Sequence, residues 1–491
     1  MLICDMAPKS FTPVECISPN GVQTESKQNE KNLGAAEAKQ DYASTLVTLP
    51  RIVGLWNAIA IVVGAIIGSL CYIELSTVVP ASGSEYAFLQ VAATHLGGHW
   101  NVLPFLCVWC HVCIADSLST AVLSKTFISY ILTLAYDRCT PDELSAFLLA
   151  VVFIAFTMAL NLTNMLLLLR LQNILSSFKV VVLFAAVAVG LYSSIFNVNQ
   201  LTNINWFEGS KFAPRDLVST IYGALWAYSG WKSITCLTEE VENPQRNVPL
   251  SIVLGIVLVT VIYSLTNIAF FVVLDTSQIL SSDVVAVTFA ANAFGSPAIA
   301  RIVPVLVGLS VFGCFSGHFL SNGRILSSAA RIGHLWPPLA QVHIDSGIPV
   351  LTMLLRCVLG IVCLSLGSTE QLIELPIFLE CVFEAFTVFA LILFRWTLPN
   401  AKRVYRVPYA FMVLKLALLG YIFYATLTST KNLAQYLVLA GIVLAGLFVY
   451  VVCIVFKCSV PHESRVALFL QKFFLTVPCD NSIIEDLSSK K

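Results

Sequence analysis

Apolar residues along the chain form long blocks that short polar segments separate. A helix that crosses a bilayer needs about 20 apolar residues, and eleven windows come close to or exceed that length. Backbone polar groups cannot stay unpaired in hydrocarbon, so segments of this kind are predicted to be helices. The pattern predicts an all-α polytopic membrane protein with about eleven spans, at residues 52–79, 102–136, 145–169, 171–196, 217–238, 250–274, 302–330, 350–367, 371–396, 408–428 and 433–456.

The two ends of the chain are polar and lie outside this apolar body. We expect residues 1–49 to form a flexible tail of the cytosolic type, 50–456 the transmembrane domain, and 457–491 a C-terminal cytosolic tail. Composition agrees, because 57% of the residues are hydrophobic and 11% are charged, against roughly 25% charged in soluble proteins. The charges balance at 28 Lys+Arg and 28 Asp+Glu, so the chain has no basic surplus that would favour a nucleic-acid partner. The lipid bilayer is the partner that the apolar body predicts. No catalytic motif stands in a supporting context, and neither an enzyme activity nor a cofactor or metal is predicted.

Basic residues in the short loops predict the orientation, since cytosolic loops carry an excess of Lys and Arg. One basic cluster follows the span that ends near Trp396, and another follows the last span. Two spans separate the clusters, so both lie on one side, which we assign to the cytosol. The C-terminus is then cytosolic, and alternation places the loop with Cys139 outside.

Two glycine-containing segments inside predicted spans are candidates for interrupted helices. They are residues 64–69, Gly-Ala-Ile-Ile-Gly-Ser, and residues 223–231, Gly-Ala-Leu-Trp-Ala-Tyr-Ser-Gly-Trp. An interruption frees backbone N–H and C=O groups, which can bind the carboxylate and ammonium groups of a zwitterion. The alternative is that the Gly64/Gly68 spacing only lets two helices pack closely.

Several ordered motifs make the chain resemble the L-type amino-acid transporters, the light chains of heteromeric amino-acid transporters in the amino acid-polyamine-organocation superfamily. The most specific is the segment Thr-Glu-Glu-Val-Glu-Asn-Pro-Gln-Arg-Asn-Val-Pro at 238–249, and further matches lie at 70–75, 80–86, 283–289 and 331–337. The resemblance implies a twelve-helix fold with two inverted five-helix repeats. It also implies sodium-independent, obligatory exchange of amino acids by alternating access at the plasma membrane.

The resemblance also assigns residues to an amino-acid site. On the first helix, Ser69 matches a position that binds the substrate carboxylate. On the interrupted helix, Trp226 matches an aromatic gate, as in the branch that takes cystine, dibasic and neutral amino acids, whereas Ser229 replaces an acidic residue of that branch. The complete set matched to the two helices is Gly64, Ile66, Ile67, Gly68, Ser69, Trp226, Ala227 and Ser229.

Two charged residues inside predicted spans are further candidates, because charges in hydrocarbon are costly. Lys179 matches a family lysine whose ammonium stands in for a bound sodium ion, although a lysine can also extend to the interface. Glu380 matches a cavity position that is usually polar and uncharged in the family. It would attract a cationic side chain or take up a proton, and a buried ion pair or a carboxylate at the membrane interface is an equal alternative. Neutral and cationic amino acids are therefore the candidate substrates.

Cys139 is the only cysteine in a predicted outer loop. An unpaired cysteine in an oxidising compartment favours an intermolecular bridge over a free thiol. Its context before Thr140-Pro141 resembles the light-chain cysteine that forms a disulfide with a single-span glycoprotein heavy chain. The resemblance thus predicts a heavy-chain partner bound through Cys139.

The chain departs from the family pattern at Ser69-Leu70. In the family a further half-helix, a loop and the start of the second helix follow this position, whereas here Leu70 begins the match to the end of the second helix. Roughly 30 to 35 residues are missing by this comparison, and residues 52–79 suffice for one span rather than two. The fused helix suggests a splice or gene-model variant. The alternative function is therefore a transport-inactive subunit that assembles with, or regulates, a heavy chain.

Overall fold

The computed structural model describes residues 55–135, 142–163, 165–196, 214–282, 284–344, 346–367, 369–428, 433–456 and 463–478. The helices in this part of the chain are α1 Leu55–Val78, α2 Glu85–Leu96, α3 Val102–Cys110, α4 Asp116–Ala135, α5 Glu143–Asn161, α6 Met165–Phe196, α7 Pro214–Ala227, α8 Ser233–Cys236, α9 Pro244–Val273, α10 Thr276–Ser281, α11 Val285–Phe294, α12 Pro297–Arg331, α13 Val350–Cys363, α14 Thr369–Thr397, α15 Tyr409–Thr428, α16 Leu433–Val449 and α17 Glu463–Phe474. Two short strands, β1 Gln341–His343 and β2 Thr476–Pro478, and several short 3₁₀ and π-helical segments are also present in the described residues.

Within the described residues, eight helices are long and apolar enough to cross a membrane: His99–Leu134, Glu143–Asn161, Leu167–Ser193, Pro244–Val273, Arg301–Arg331, Leu372–Thr397, Tyr409–Thr428 and Gln435–Val455. All eight coincide with predicted windows. The windows at 52–79 and 350–367 correspond to α1 and α13, and the window at 217–238 corresponds to α7 and α8. The predicted all-α polytopic fold is confirmed. One boundary was wrong, since α5 ends at Asn161 and α6 already begins at Met165.

The outer surface of the helical body is strongly apolar. On α9, for example, Leu254, Val257 and Val261 are exposed, whereas Ile252 and Ile256 of the same helix are buried. Soluble proteins rarely expose a continuous apolar surface over many helices, as this chain does. The exposed face therefore suits contact with lipid acyl chains.

A single helix fills the region where the family pattern has two. Helix α1 runs without interruption from Leu55 to Val78, and the hydroxyl of Ser69 donates to the carbonyl of Ile66 at 2.7 Å within it. The predicted interruption at 64–69 is therefore wrong. The residues after Ser69 continue the apolar helical sequence directly, so the helix bridges the junction despite its two glycines.

The second predicted interruption is present. Helix α7 ends at Ala227, residues 228–232 form a turn, and the four-residue helix α8 follows. Gly230 adopts a φ of +97°, which a residue with a side chain rarely adopts. The glycine thus allows the turn that separates the two helical pieces.

The polypeptide after the last span contributes regular structure of its own. Strand β2 pairs antiparallel with β1, and Leu470 and Phe474 of α17 pack against Ala330, Leu339 and Leu351. The described part of the predicted C-terminal tail is therefore docked on the helical body. Residues 1–49 lie outside the described residues, and the domain boundaries remain predictions.

Candidate functional site

A small cavity lies beside the turn between α7 and α8. Its volume is about 40 Å³, enough for only a few water molecules. Its walls come from the end of α7, the turn, α14 and α15. The lining residues are Leu225, Tyr228, Ser229, Trp231, Lys232, Ile377, Glu380, Cys381, Glu384 and Lys415.

Two ion pairs form the charged part of this wall. The ammonium of Lys232 lies 2.9 Å from Oε2 of Glu380 and 3.0 Å from Oε1 of Glu85. The ammonium of Lys415 lies 2.9 Å from Oε1 of Glu384. Each lining carboxylate therefore has a lysine partner, and the two lining pairs cancel in charge.

Glu85 links the cavity wall to a deeper polar layer. The Tyr72 hydroxyl donates to Oε1 of Glu85, and a ring nitrogen of His111 lies 3.3 Å from Oε2. His111 begins a π-helical segment, His111–Ala115, that joins α3 to α4. Segments of this kind widen the helix by one residue and frequently occur at functional sites. The layer ties the interrupted helix to α1, α2 and the α3–α4 helix.

Tyr228 and Trp231 are the aromatic residues among the described residues that line the cavity. Trp231 also contacts α1. Its ring packs edge-to-face on Tyr72, with centroids 4.9 Å apart. Trp226, which the resemblance matches to an aromatic gate, is half-buried against the main core and does not line the cavity. Ala227 is exposed and is likewise absent from the lining.

Of the predicted site residues, Glu380 and Ser229 line the cavity. Ser229 donates to the carbonyl of Trp226 at 2.7 Å, and Glu380 forms the predicted alternative, an ion pair. Gly68 lies against the Lys415–Glu384 pair. A Cβ added to this glycine would approach Oε1 of Glu384 to 2.5 Å and Nζ of Lys415 to 3.1 Å. Its lack of a side chain lets the pair lie against α1.

The other residues that were assigned to the first helix are not at the cavity. Ile67 and Ser69 are buried, Ile66 is exposed, and Gly64 lies in the continuous part of α1. Because the helix is intact, its N–H groups donate along the helix rather than to a ligand. Their assignment to substrate binding remains a prediction, and the continuous helix gives it no support.

Lys179 lies away from the cavity, on α6. Its side chain is half-buried and lies against α12, where an added Cβ on Gly313 would be 3.4 Å from Cε of the lysine. This position between two helices suits the predicted role as a built-in cation, which stays a prediction. Cys139 lies outside the described residues.

Sequence reasoning missed most of the charged site. It did not assign roles to Glu85, Lys232, Glu384 or Lys415, although the last two lie within apolar helices, where charges are functional by default. Lys232 follows directly after the segment 223–231 and lies inside a predicted span, so the rule that charges within spans are functional candidates applies to it as well. The pairing itself joins residues far apart in the chain and leaves no local pattern.

One group of side chains has the ligand types of a metal site. Potential ligand atoms of Glu85, Cys107 and His111 lie within 4.8 Å of one another, and all three residues are buried. The Lys232 ammonium already occupies the neighbourhood of Glu85, and its charge repels a divalent cation. The group is better described as part of the polar layer.

Comparison with known proteins agrees with this architecture. The amino acid permease family model matches residues 39–464. The b(0,+)-type amino acid transporter 1 of Homo sapiens is 29% identical over 426 residues, covering 86% of this chain and 85% of the relative. The Asc-type amino acid transporter 1 of Mus musculus is 31% identical over 344 residues, covering 70% and 63%. The cystine/glutamate transporter of Pongo abelii is 30% identical over 355 residues, covering 72% and 68%.

The agreement extends over the helical body rather than one motif. The matched region runs from before α1 to the start of α17, and it contains both the interrupted helix and the charged cavity. A family model that covers most of a chain identifies its family. This chain belongs to the amino acid permease family.

Proposed function

We propose that the chain is a sodium-independent amino-acid exchanger that works by alternating access. The observation that carries this proposal is the ion-paired cavity beside the interrupted helix α7–α8. Discontinuous helices with polar groups at an internal cavity are typical of substrate sites in secondary transporters. The names of the relatives, which are amino acid transporters of three types, support the same substrate class.

Neutral amino acids are the preferred substrates in this proposal. Lys232 neutralises Glu380, and Lys415 neutralises Glu384, so among the described lining residues no unpaired carboxylate is present to attract a cationic side chain. A charged side chain would enter without a partner and would lose hydration energy. Cationic amino acids are therefore expected to be poorer substrates than neutral ones.

Exchange is tested by counterflow. Proteoliposomes that contain the chain are loaded with unlabelled leucine, and uptake of labelled leucine is compared with that of unloaded vesicles and protein-free liposomes. We expect a several-fold stimulation by internal leucine that does not change when choline replaces sodium. If no amino acid gives trans-stimulation, the exchanger proposal fails and the transport-inactive subunit, which the fused helix α1 suggests, takes its place.

We further propose that the protein acts at the plasma membrane with its C-terminus in the cytosol, paired with a single-span glycoprotein heavy chain. The basic clusters after residue 395 and after residue 457 support the orientation. The proposed covalent link is a disulfide through Cys139. An extracellular position would give this cysteine the oxidising surroundings that a disulfide needs.

The heavy-chain link predicts a change in electrophoretic mobility. In mammalian cells that co-express a heavy chain, the wild type is expected to migrate without reductant as a complex that dithiothreitol separates. Cys139→Ser should migrate as the single chain under both conditions. Cys453→Ser is the matched control, because this exposed cysteine lies in the π-helical end of the last span. If the complex persists in Cys139→Ser, another cysteine forms the bridge.

A further inference from the structure

The uninterrupted helix α1 raises the question of which groups would hold the charged ends of an amino acid. Its N–H groups near Gly68 and Ser69 lie inside a continuous helix, where each donates to the carbonyl four residues earlier. The Ser69 hydroxyl is also engaged, because it donates to Ile66. This segment therefore offers no free donor for a carboxylate.

The pair formed by Lys232 and Glu380 has the two charges that a zwitterion requires. Both residues line the cavity, and their charged atoms are 2.9 Å apart. The Lys232 and Glu380 side chains are 19% and 24% exposed, whereas those of Lys415 and Glu384 are 2% and 13% exposed. Of the two pairs, this one is more accessible from the cavity.

Lys232 can move away from Glu380 without losing every anionic partner. Glu85, on α2, also lies 3.0 Å from this ammonium. Separating a buried pair is costly when it leaves a charge uncompensated. Here Glu85 continues to compensate the lysine, so the cost of opening falls mainly on Glu380.

We propose that Lys232 and Glu380 are the receptor for the zwitterionic end of the substrate. The inference rests on the proposed function, since it assigns the groups that bind an amino acid. On binding, the pair opens, the Lys232 ammonium binds the α-carboxylate, and the Glu380 carboxylate binds the α-ammonium. Each charge keeps an opposite neighbour, because one ion pair and one zwitterion become two ion pairs. The separation also enlarges a cavity that is too small for an amino acid when the pair is closed.

The receptor makes a specific prediction about analogues that carry only one charge. Leucinamide keeps the ammonium of leucine but has no carboxylate, and 4-methylpentanoate keeps the carboxylate but has no ammonium. Either analogue opens the pair and leaves Lys232 or Glu380 without its new partner. Both should compete with labelled leucine at least about tenfold more weakly than leucine does, because a charge-assisted hydrogen bond is lost in each case.

The test measures inhibition constants of these three compounds in exchange assays of single variants. Lys232→Gln should lose about tenfold or more of the preference for leucine over leucinamide, and Glu380→Gln should lose the preference for leucine over 4-methylpentanoate. The charge-preserving variants Lys232→Arg and Glu380→Asp should keep both preferences, which retains a readout if a neutral variant does not fold. Glu374→Gln is the matched control on α14, because this residue does not line the cavity.

The outcomes separate the inference from the proposed function. If wild type exchanges leucine but the neutral variants weaken all three compounds by the same factor, the pair is only structural and the receptor assignment is overturned. Equal inhibition of wild type by leucine and by either analogue overturns it as well. If wild type exchanges no amino acid at all, the proposed function fails instead.

Discussion

Glu74→Gln is expected to destabilise the folded protein severely. The Glu74 carboxylate is completely buried at the end of α1, where Arg395 binds both of its oxygens, at 3.1 and 2.6 Å. Nε of Arg403 lies 3.2 Å from the same group, and the N–H of Val407 donates to it at 2.8 Å. The amide leaves two guanidinium groups without their anion, and removal of one partner from a buried pair costs about 3–5 kcal/mol. We expect a large fall in folded yield and in melting temperature in detergent.

The matched control is Glu242→Gln, which makes the same change at an exposed loop position. Ion pairs of exposed side chains contribute only about 0–1 kcal/mol to the free energy of unfolding, so this variant should unfold like the wild type. Both variants are compared by size-exclusion chromatography and by thermal unfolding in the same detergent. Similar melting temperatures for the two variants would show that Glu74 does not hold α1 to α14 and the segment that follows it.

The helical architecture could be read from the sequence because hydrocarbon imposes a strict rule on the backbone. Each of the eleven apolar windows contains helix in the described part of the chain, and the interruption that divides the window 217–238 into α7 and α8 followed from its glycines. The prediction of an interruption at 64–69 was wrong for a related reason. Glycine weakens a helix only by about 1 kcal/mol, so the apolar residues on both sides of Ser69 are sufficient to continue it.

The site was less predictable because its chemistry depends on tertiary pairing. Glu380 was recognised as a charge in a span, but its partner Lys232 lies 148 positions earlier in the numbering and follows the interrupted helix. Gly68 was assigned to substrate binding, whereas the structure shows that its missing side chain makes room for Glu384 and Lys415. A motif can indicate that a position matters without indicating which neighbour it serves.

The charged groups also connect elements that alternating access would have to move. Lys232 joins the interrupted helix to α2 through Glu85 and to α14 through Glu380. Lys415 joins α15 to α14 through Glu384. If an amino acid opens the Lys232–Glu380 pair, it also releases the interrupted helix from α14. Substrate binding and helix movement would then depend on the same contact.

Glu85→Gln is expected to weaken leucine binding about tenfold or more. Of the two described carboxylates that bind Lys232, only Glu380 then remains, so the Lys232–Glu380 pair becomes harder to open. Gln also removes the negative charge beside His111, and the loss of a buried charge partner should lower the free energy of unfolding by about 3–5 kcal/mol.

Tyr72→Phe is the control, since it removes a single hydrogen bond to the Glu85 carboxylate and leaves Lys232 paired. It should lower the free energy of unfolding by about 1.5–3 kcal/mol. The concentration dependence of leucine exchange and the melting temperature are measured for both variants. Tighter leucine binding in Glu85→Gln would mean that Glu85 competes with the substrate for Lys232 rather than compensating the lysine while the pair is open.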